Sequence, residues 1–143
     1  MSSKKNILFL CTGNSCRSQM AEGWARSLLG DSAEPYSAGV VAAGLDPRAV
    51  KVMAEAGVDI SGQRSKTIDG LGDIEFDLVV TVCDRARESC PIFPGKVKSI
   101  HRSFDDPPAL AEDARSEEEA LAHYRRVRDE IRTFVEELSK TFK

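Results

Sequence analysis

Histidine is scarce in this chain, with two residues, and no hydrophobic run is long. Nothing approaches the roughly 20 consecutive apolar residues of a membrane span. Met1 to Lys5 is polar and basic, but the apolar run behind it, Ile7-Leu8-Phe9-Leu10, is far shorter than the roughly 7 to 15 residues of a secretory signal core, so a cytoplasmic protein is expected. An excess of one charge is missing too. Lys and Arg number 20 against 23 Asp and Glu, a net charge of -3, which leaves no basic footprint for nucleic acid. The chain also has no internal repeat, linker or low-complexity tract, so residues 1–143 are expected to form a single domain with a core large enough to need no disulfide or metal. Zinc spacing is absent. The four cysteines fall as Cys-x4-Cys (Cys11, Cys16) and Cys-x6-Cys (Cys83, Cys90), and His101 and His123 read as structural or solvent-facing, so neither a metal nor a cofactor is expected. In a reducing compartment such cysteines are reactive groups rather than a permanent framework.

Hydrophobic periodicity supplies the elements. Ile7 to Leu10 reads as a buried strand. Met20, Ala21, Trp24, Ala25, Leu28 and Leu29 recur at helical spacing between Ser18 and the stop at Gly30, with Trp24 a core residue. A short extended piece is expected around Tyr36–Gly39, followed by a helix with Asp46 as N-cap, Pro47 at its first position and Gly57 at its end. Phe76 to Val82 is nearly continuous in β-formers, as a central strand covered on both faces would be, and Val97 to His101 reads as a strand nearer the edge. Asp105-Asp106-Pro107-Pro108 is expected to be loop. Ser116 and Glu119 form a capping box for a last helix, whose stripe from Leu121 through Tyr124, Val127, Ile131, Phe134 and Val135 to Leu138 is expected to face the sheet. Strands alternating with helices predict an α/β fold: a small doubly wound, mainly parallel four-stranded sheet flanked by helices, with ligands at the carboxyl ends of its strands.

Cys11 and Cys83 both stand at such ends, on the same rim. From Cys11 the chain continues Thr12-Gly13-Asn14-Ser15-Cys16-Arg17-Ser18, so a thiol sits where a buried strand turns into a helix. Small residues let the backbone curl with its N–H groups inward, and a helix N-terminus adds positive potential to the same cavity. Arg17 offers a planar fork to two oxygens of a tetrahedral oxyanion. Thr12, Gly13, Asn14, Ser15, Cys16, Arg17 and Ser18 are therefore the expected oxyanion cradle, with Cys11 as nucleophile. A helix N-terminus and a neighbouring cation are expected to favour its thiolate.

Cys-x5-Arg-Ser resembles the phosphate-binding loop of the low-molecular-weight tyrosine phosphatases, and Asp106-Pro107 their general-acid loop. The wider pattern, from Cys11 through Trp24, then Tyr36-Ser37-Ala38-Gly39, Cys83, Cys90-Pro91 and Phe104-Asp105-Asp106-Pro107, is similar to the thioredoxin-coupled arsenate reductases built on that fold. Gln19 stands where the phosphatases usually carry proline, and Pro108 and Ala109 replace the paired tyrosines that often follow their Asp-Pro.

The resemblance implies reduction of arsenate to arsenite by a three-cysteine relay, with phosphate as a competing oxyanion and no cofactor. Cys11 attacks arsenic, Asp106 protonates the departing oxygen, Cys83 attacks the Cys11 sulfur to release arsenite, and Cys90 then moves the disulfide away from Cys11 for thioredoxin to reduce. Helix-forming residues between Cys83 and Cys90 would hold them roughly 10 Å apart along an intact helix, so that segment is expected to unwind on oxidation. Three alternatives stay open at this point: hydrolysis of phosphate esters by the same loop, a non-catalytic oxyanion-binding module, and glutaredoxin or a small thiol as reductant. Asp105 stands beside Asp106 as an alternative acid or cap, and Cys16 is read as structural, with a protective disulfide to Cys11 as its functional alternative. Family members can also hold a potassium ion at positions matching Asn14, Glu22 and Ser37 with an acidic residue near position 66. This chain has Lys66, so either its amine replaces the ion by pairing with Glu22 or no such site exists.

Overall fold

Ile7, Leu8, Phe9 and Leu10 are all buried, because the strand that carries them lies inside a sheet with helices on both sides. The computed structural model describes residues 4–83 and 97–142. Within them β1 (Lys5–Cys11), β2 (Ala33–Gly39), β3 (Leu78–Thr81) and β4 (Lys98–His101) pair entirely in parallel, in the order β2-β1-β3-β4. The chain steps from β1 to one side, then crosses to β3 on the other. That reversal opens a crevice at the carboxyl ends of β1 and β3, where Cys11 and Cys83 lie.

The α-helices among the described residues are α1 (Arg17–Leu29), α2 (Pro47–Glu55), α3 (Pro107–Ala111) and α4 (Glu117–Leu138). Asp46 caps α2, accepting from the Arg48 N–H at 2.9 Å and from the Tyr124 hydroxyl at 2.7 Å. Ser116 caps α4 through the Glu119 N–H at 3.1 Å. The stripe of α4 is buried from Leu121 through Tyr124, Val127, Ile131 and Val135 to Leu138, and the backbones of α1, α2 and α3 run close beside it. Trp24 is buried between these helices, donating from Nε1 to the Arg128 carbonyl at 3.1 Å.

One correction concerns Asp105 to Pro108. Pro107 and Pro108 open α3 instead of remaining loop, since a proline at the first helical position loses no hydrogen bond and has its φ already set. β3 is also shorter than the run Phe76 to Val82 predicts. The residues expected to form a helix between Cys83 and Cys90, and Cys90 itself, lie outside the described residues. No helix among the described residues is long and apolar enough to cross a membrane.

Candidate active site

β1 ends at Cys11 and α1 begins at Arg17, so the residues between them must reverse from extended to helical backbone in one short loop. The loop's carbonyls define its shape. Those of Cys11, Thr12 and Gly13 accept from the N–H groups of Val40, Val41 and Ala43 at 3.3, 3.0 and 2.9 Å. Those of Asn14, Ser15 and Cys16 accept from Gln19 Nε2 at 3.0 Å, Asp46 N at 3.1 Å and Met20 N at 2.9 Å. In a trans peptide the C=O and the following N–H point opposite ways. Carbonyls committed to the outside therefore leave the N–H groups from Thr12 to Arg17 for the concave side, which is an anion-binding nest at a helix N-terminus.

Asn14 takes φ of 48°, the left-handed turn that bends the ring. Its side chain is held from three directions. Asn14 Nδ2 donates to Ser18 Oγ at 2.9 Å, and Asn14 Oδ1 accepts from Lys66 N at 2.8 Å and Gln19 Nε2 at 3.0 Å. Ser65 Oγ reaches the Gly13 carbonyl at 3.2 Å while accepting from Gly44 N at 3.0 Å. Gly39 closes the outer side: a Cβ there would meet Val41 O at 2.5 Å and Asn14 N at 2.6 Å, so only glycine lets β2 pass this close to the loop.

Arg17 is buried, with Nη1 donating to the Phe104 carbonyl at 3.0 Å and Nη2 lying 3.6 Å from Asp106 Oδ1. Its Nε is buried without a partner among the described residues. A buried guanidinium N–H left over beside a ring of backbone donors is what a multi-oxygen anion satisfies. Asp106 is half-exposed over this cavity, whereas Asp105 points away into an ion pair with Arg126 of α4 at 3.0 Å. Geometry thus gives the two adjacent aspartates different surroundings.

Cys11, Cys16 and Cys83 are buried thiols. Thr12 Oγ1 and Cys83 Sγ share a hydrogen bond at 3.1 Å, which places the second sulfur against the loop that begins at Cys11. This neighbour reverses one expectation. The Cys11 pKa is raised rather than lowered: a hydrogen bond with Cys83 and burial push it up, and the Arg17 charge and the Thr12 N–H offset them only in part. Burial, and then the Asp46 carboxylate, push the Cys16 thiol up as well, in keeping with a structural residue.

Phe104 joins the site, although the sequence pattern that includes it gives it no role there. Its carbonyl anchors Arg17 while its N–H donates to Val82 O at 3.1 Å, next to Cys83, and its ring packs edge-on against Phe134 with centroids 5.9 Å apart. Its one sign in the sequence is its place before the paired aspartates. Gln19, which the sequence marks only as a departure from proline, is a brace. It binds both oxygens of Asn14 and the Arg64 carbonyl, and it takes both donations of Gln63 Nε2, at 3.0 and 2.8 Å.

The residues do not fit a resident potassium ion. Glu22 Oε1 accepts from Ser37 Oγ at 2.6 Å and lies 3.8 Å from Lys66 Nζ, while Asn14 Oδ1 is taken by Lys66 N and Gln19. An ammonium already faces the carboxylate. Exchanging sodium for potassium at matched ionic strength is therefore expected to leave melting temperature and activity the same, and a gain specific to potassium contradicts this.

The model for the family described as low molecular weight phosphotyrosine protein phosphatase matches residues 6–143. The chain belongs to that family. Among its relatives an arsenate reductase of Bacillus licheniformis is 55% identical, the match covering 97% of this chain and 98% of that protein. A solved arsenate reductase in its oxidized state is 33% identical with a TM-score of 0.74, the match covering 97% of this chain and 99% of that one. A thioredoxin-dependent arsenate reductase of Corynebacterium glutamicum is 25% identical with a TM-score of 0.73, the match covering 99% of this chain and 63% of that chain.

Proposed function

We propose that this protein reduces arsenate to arsenite, with thioredoxin restoring its thiols. The observation that carries the reading is the second buried sulfur: Cys83 lies against Thr12 on the rim where Cys11 opens the anion loop. A phosphatase needs one nucleophile and a water, since hydrolysis changes no oxidation state. Reduction needs two electrons and therefore two thiols.

The loop N–H groups from Thr12 to Arg17 and the Arg17 fork hold the tetrahedral oxyanion against the Cys11 sulfur. Cys11 attacks arsenic and forms an S–As bond. The displaced hydroxyl leaves as water with a proton from Asp106, and the Cys11 proton balances it overall. Cys83 then attacks the Cys11 sulfur. The S–As bond breaks, its electron pair stays on arsenic, arsenic(V) becomes arsenic(III), and the proton of Cys83 passes to the departing arsenite. A hydrogen bond donated by the Thr12 hydroxyl stabilises the attacking sulfur as thiolate. The net reaction converts arsenate and two thiols into arsenite, a disulfide and water. Cys90 completes the relay by attacking Cys83, which frees Cys11 and leaves a Cys83–Cys90 disulfide for thioredoxin to reduce.

Similarity to a thioredoxin-dependent arsenate reductase supports this reductant, and 55% identity to another arsenate reductase supports reduction over the phosphatase reading. The test is NADPH oxidation in the presence of thioredoxin and thioredoxin reductase. Arsenate-dependent turnover is expected, with phosphate inhibiting competitively and glutaredoxin failing to substitute. No arsenate-dependent oxidation, together with rapid cleavage of p-nitrophenyl phosphate, would return the protein to phosphate-ester hydrolysis.

A further inference from the structure

A buried carboxylate and a half-buried ammonium behind the anion loop have no part in the relay. Glu22, on α1, is 6% exposed and faces three donors: Ser37 Oγ at 2.6 Å, Arg26 Nη2 at 3.0 Å and Lys66 Nζ at 3.8 Å. Of the two cations, Arg26 has half its side chain in solvent and Lys66 only 17% of it, so Lys66 is the partner that shares the carboxylate's low-dielectric surroundings. Burial lowers the Lys66 pKa and the Glu22 charge offsets that, as expected for an amine kept charged by its partner.

The main chain of the same residue is pinned to the loop. Lys66 N donates to Asn14 Oδ1 at 2.8 Å, Lys66 O accepts from Gly39 N at 2.9 Å, and Thr67 forms a parallel bridge with Gly39. On the other flank, Arg64 O accepts from Gln19 at 2.9 Å and from Lys66 Nζ at 2.9 Å, and Ser65 holds the Gly13 carbonyl. Residues 63–67 thus form a strap across the back of the anion loop, tied to α1 by the Lys66 amine on Glu22 and by Arg26 Nη1 donating to Gln63 Oε1 at 3.0 Å.

We propose that Lys66 is a positioning residue for oxyanion binding: its ammonium, held by Glu22, fixes the strap that keeps Asn14 in its left-handed turn and the loop N–H groups convergent. Removing the amine leaves the buried carboxylate with only the half-exposed Arg26 as counter-charge, and the strap relaxes away from Asn14. Removing both charges spares that cost, because a glutamine at position 22 still accepts from Ser37 and carries no charge to compensate. This role rests on the functional reading only in that the loop binds a tetrahedral oxyanion.

Inorganic phosphate binding by calorimetry, alongside arsenate kinetics, provides the test. Lys66→Met is expected to weaken phosphate about tenfold and to raise KM for arsenate by a similar factor, with kcat falling less than KM rises. Lys66→Met with Glu22→Gln is expected to recover phosphate affinity to within about threefold of wild type, and Lys66→Arg to stay within the same margin. Phosphate affinity of Lys66→Met within about twofold of wild type overturns the proposal, as does a double variant no tighter than the single one. If Lys66→Met does not fold, Lys66→Arg decides: wild-type affinity supports the role of the charge, and a loss as large as that of Glu22→Gln alone removes it. Because phosphate binding is read without turnover, a protein that binds phosphate as described but reduces no arsenate sinks the functional reading and leaves this one standing.

Discussion

Serine at position 83 lowers steady-state reduction of arsenate by roughly three orders of magnitude or more, because the group that must take the place of arsenic on the Cys11 sulfur is gone. The oxyanion loop survives the change, since a serine hydroxyl can still pair with the Thr12 hydroxyl. Phosphate therefore binds Cys83→Ser about as it binds wild type. A second readout comes from the titration of Cys11. Cys83 is the largest influence raising that thiol's pKa, so in Cys83→Ala the pKa falls, and alkylation of Cys11 begins at lower pH than in wild type. The sign follows from the pair: a neighbouring sulfur holds a proton between the two, and its removal leaves Arg17 and the Thr12 N–H to act against burial alone. Wild-type rates of arsenate turnover in Cys83→Ser would remove the relay.

Arg17→Lys keeps a positive charge and loses the fork. The guanidinium uses Nη1 to hold the Phe104 carbonyl, directs Nη2 toward Asp106 and keeps Nε in reserve for the anion. A single ammonium cannot occupy all three directions. The change is expected to lower kcat/KM for arsenate on the order of a hundredfold to a thousandfold, the range seen when one preorganised donor to developing charge is lost. Phosphate affinity should fall in parallel, since the same donors meet both oxyanions. A loss below about tenfold would mean that backbone N–H groups alone define the cradle.

The parts of the site that lie close together along the chain are legible in the sequence. Cys11 and Arg17 are separated by one loop, and a strand end followed by small residues and a helix start admits few geometries. The sheet is legible for the same reason, because the apolar runs at Ile7 and Phe76 read as strands buried on both faces. Features set by residues far apart are not legible in this way. From the adjacent helix terminus and Arg17 alone, the Cys11 thiol looks easy to ionise, whereas Cys83, brought in by β3, dominates its surroundings. Gln19 and Lys66 meet at Asn14 from two separate stretches, with Arg64 tied in through Gln19, so spacing alone gives no sign that they brace one turn. Asp105 and Asp106 are adjacent and chemically alike. Packing divides their surroundings: α4 presents Arg126 to Asp105, and Arg17 lies 3.6 Å from Asp106. Pro107 and Pro108 mislead through a local rule applied too broadly, for they disfavour a helix interior but suit its first turn.

The disulfide formed when arsenic is reduced is the most direct witness to a thiol relay. Cys90→Ser stops the relay after its second step, so one equivalent of arsenate should yield one arsenite per protein and a Cys11–Cys83 disulfide in the peptide map. Free thiols at both positions with no arsenite released, or arsenite released without that disulfide, would contradict it.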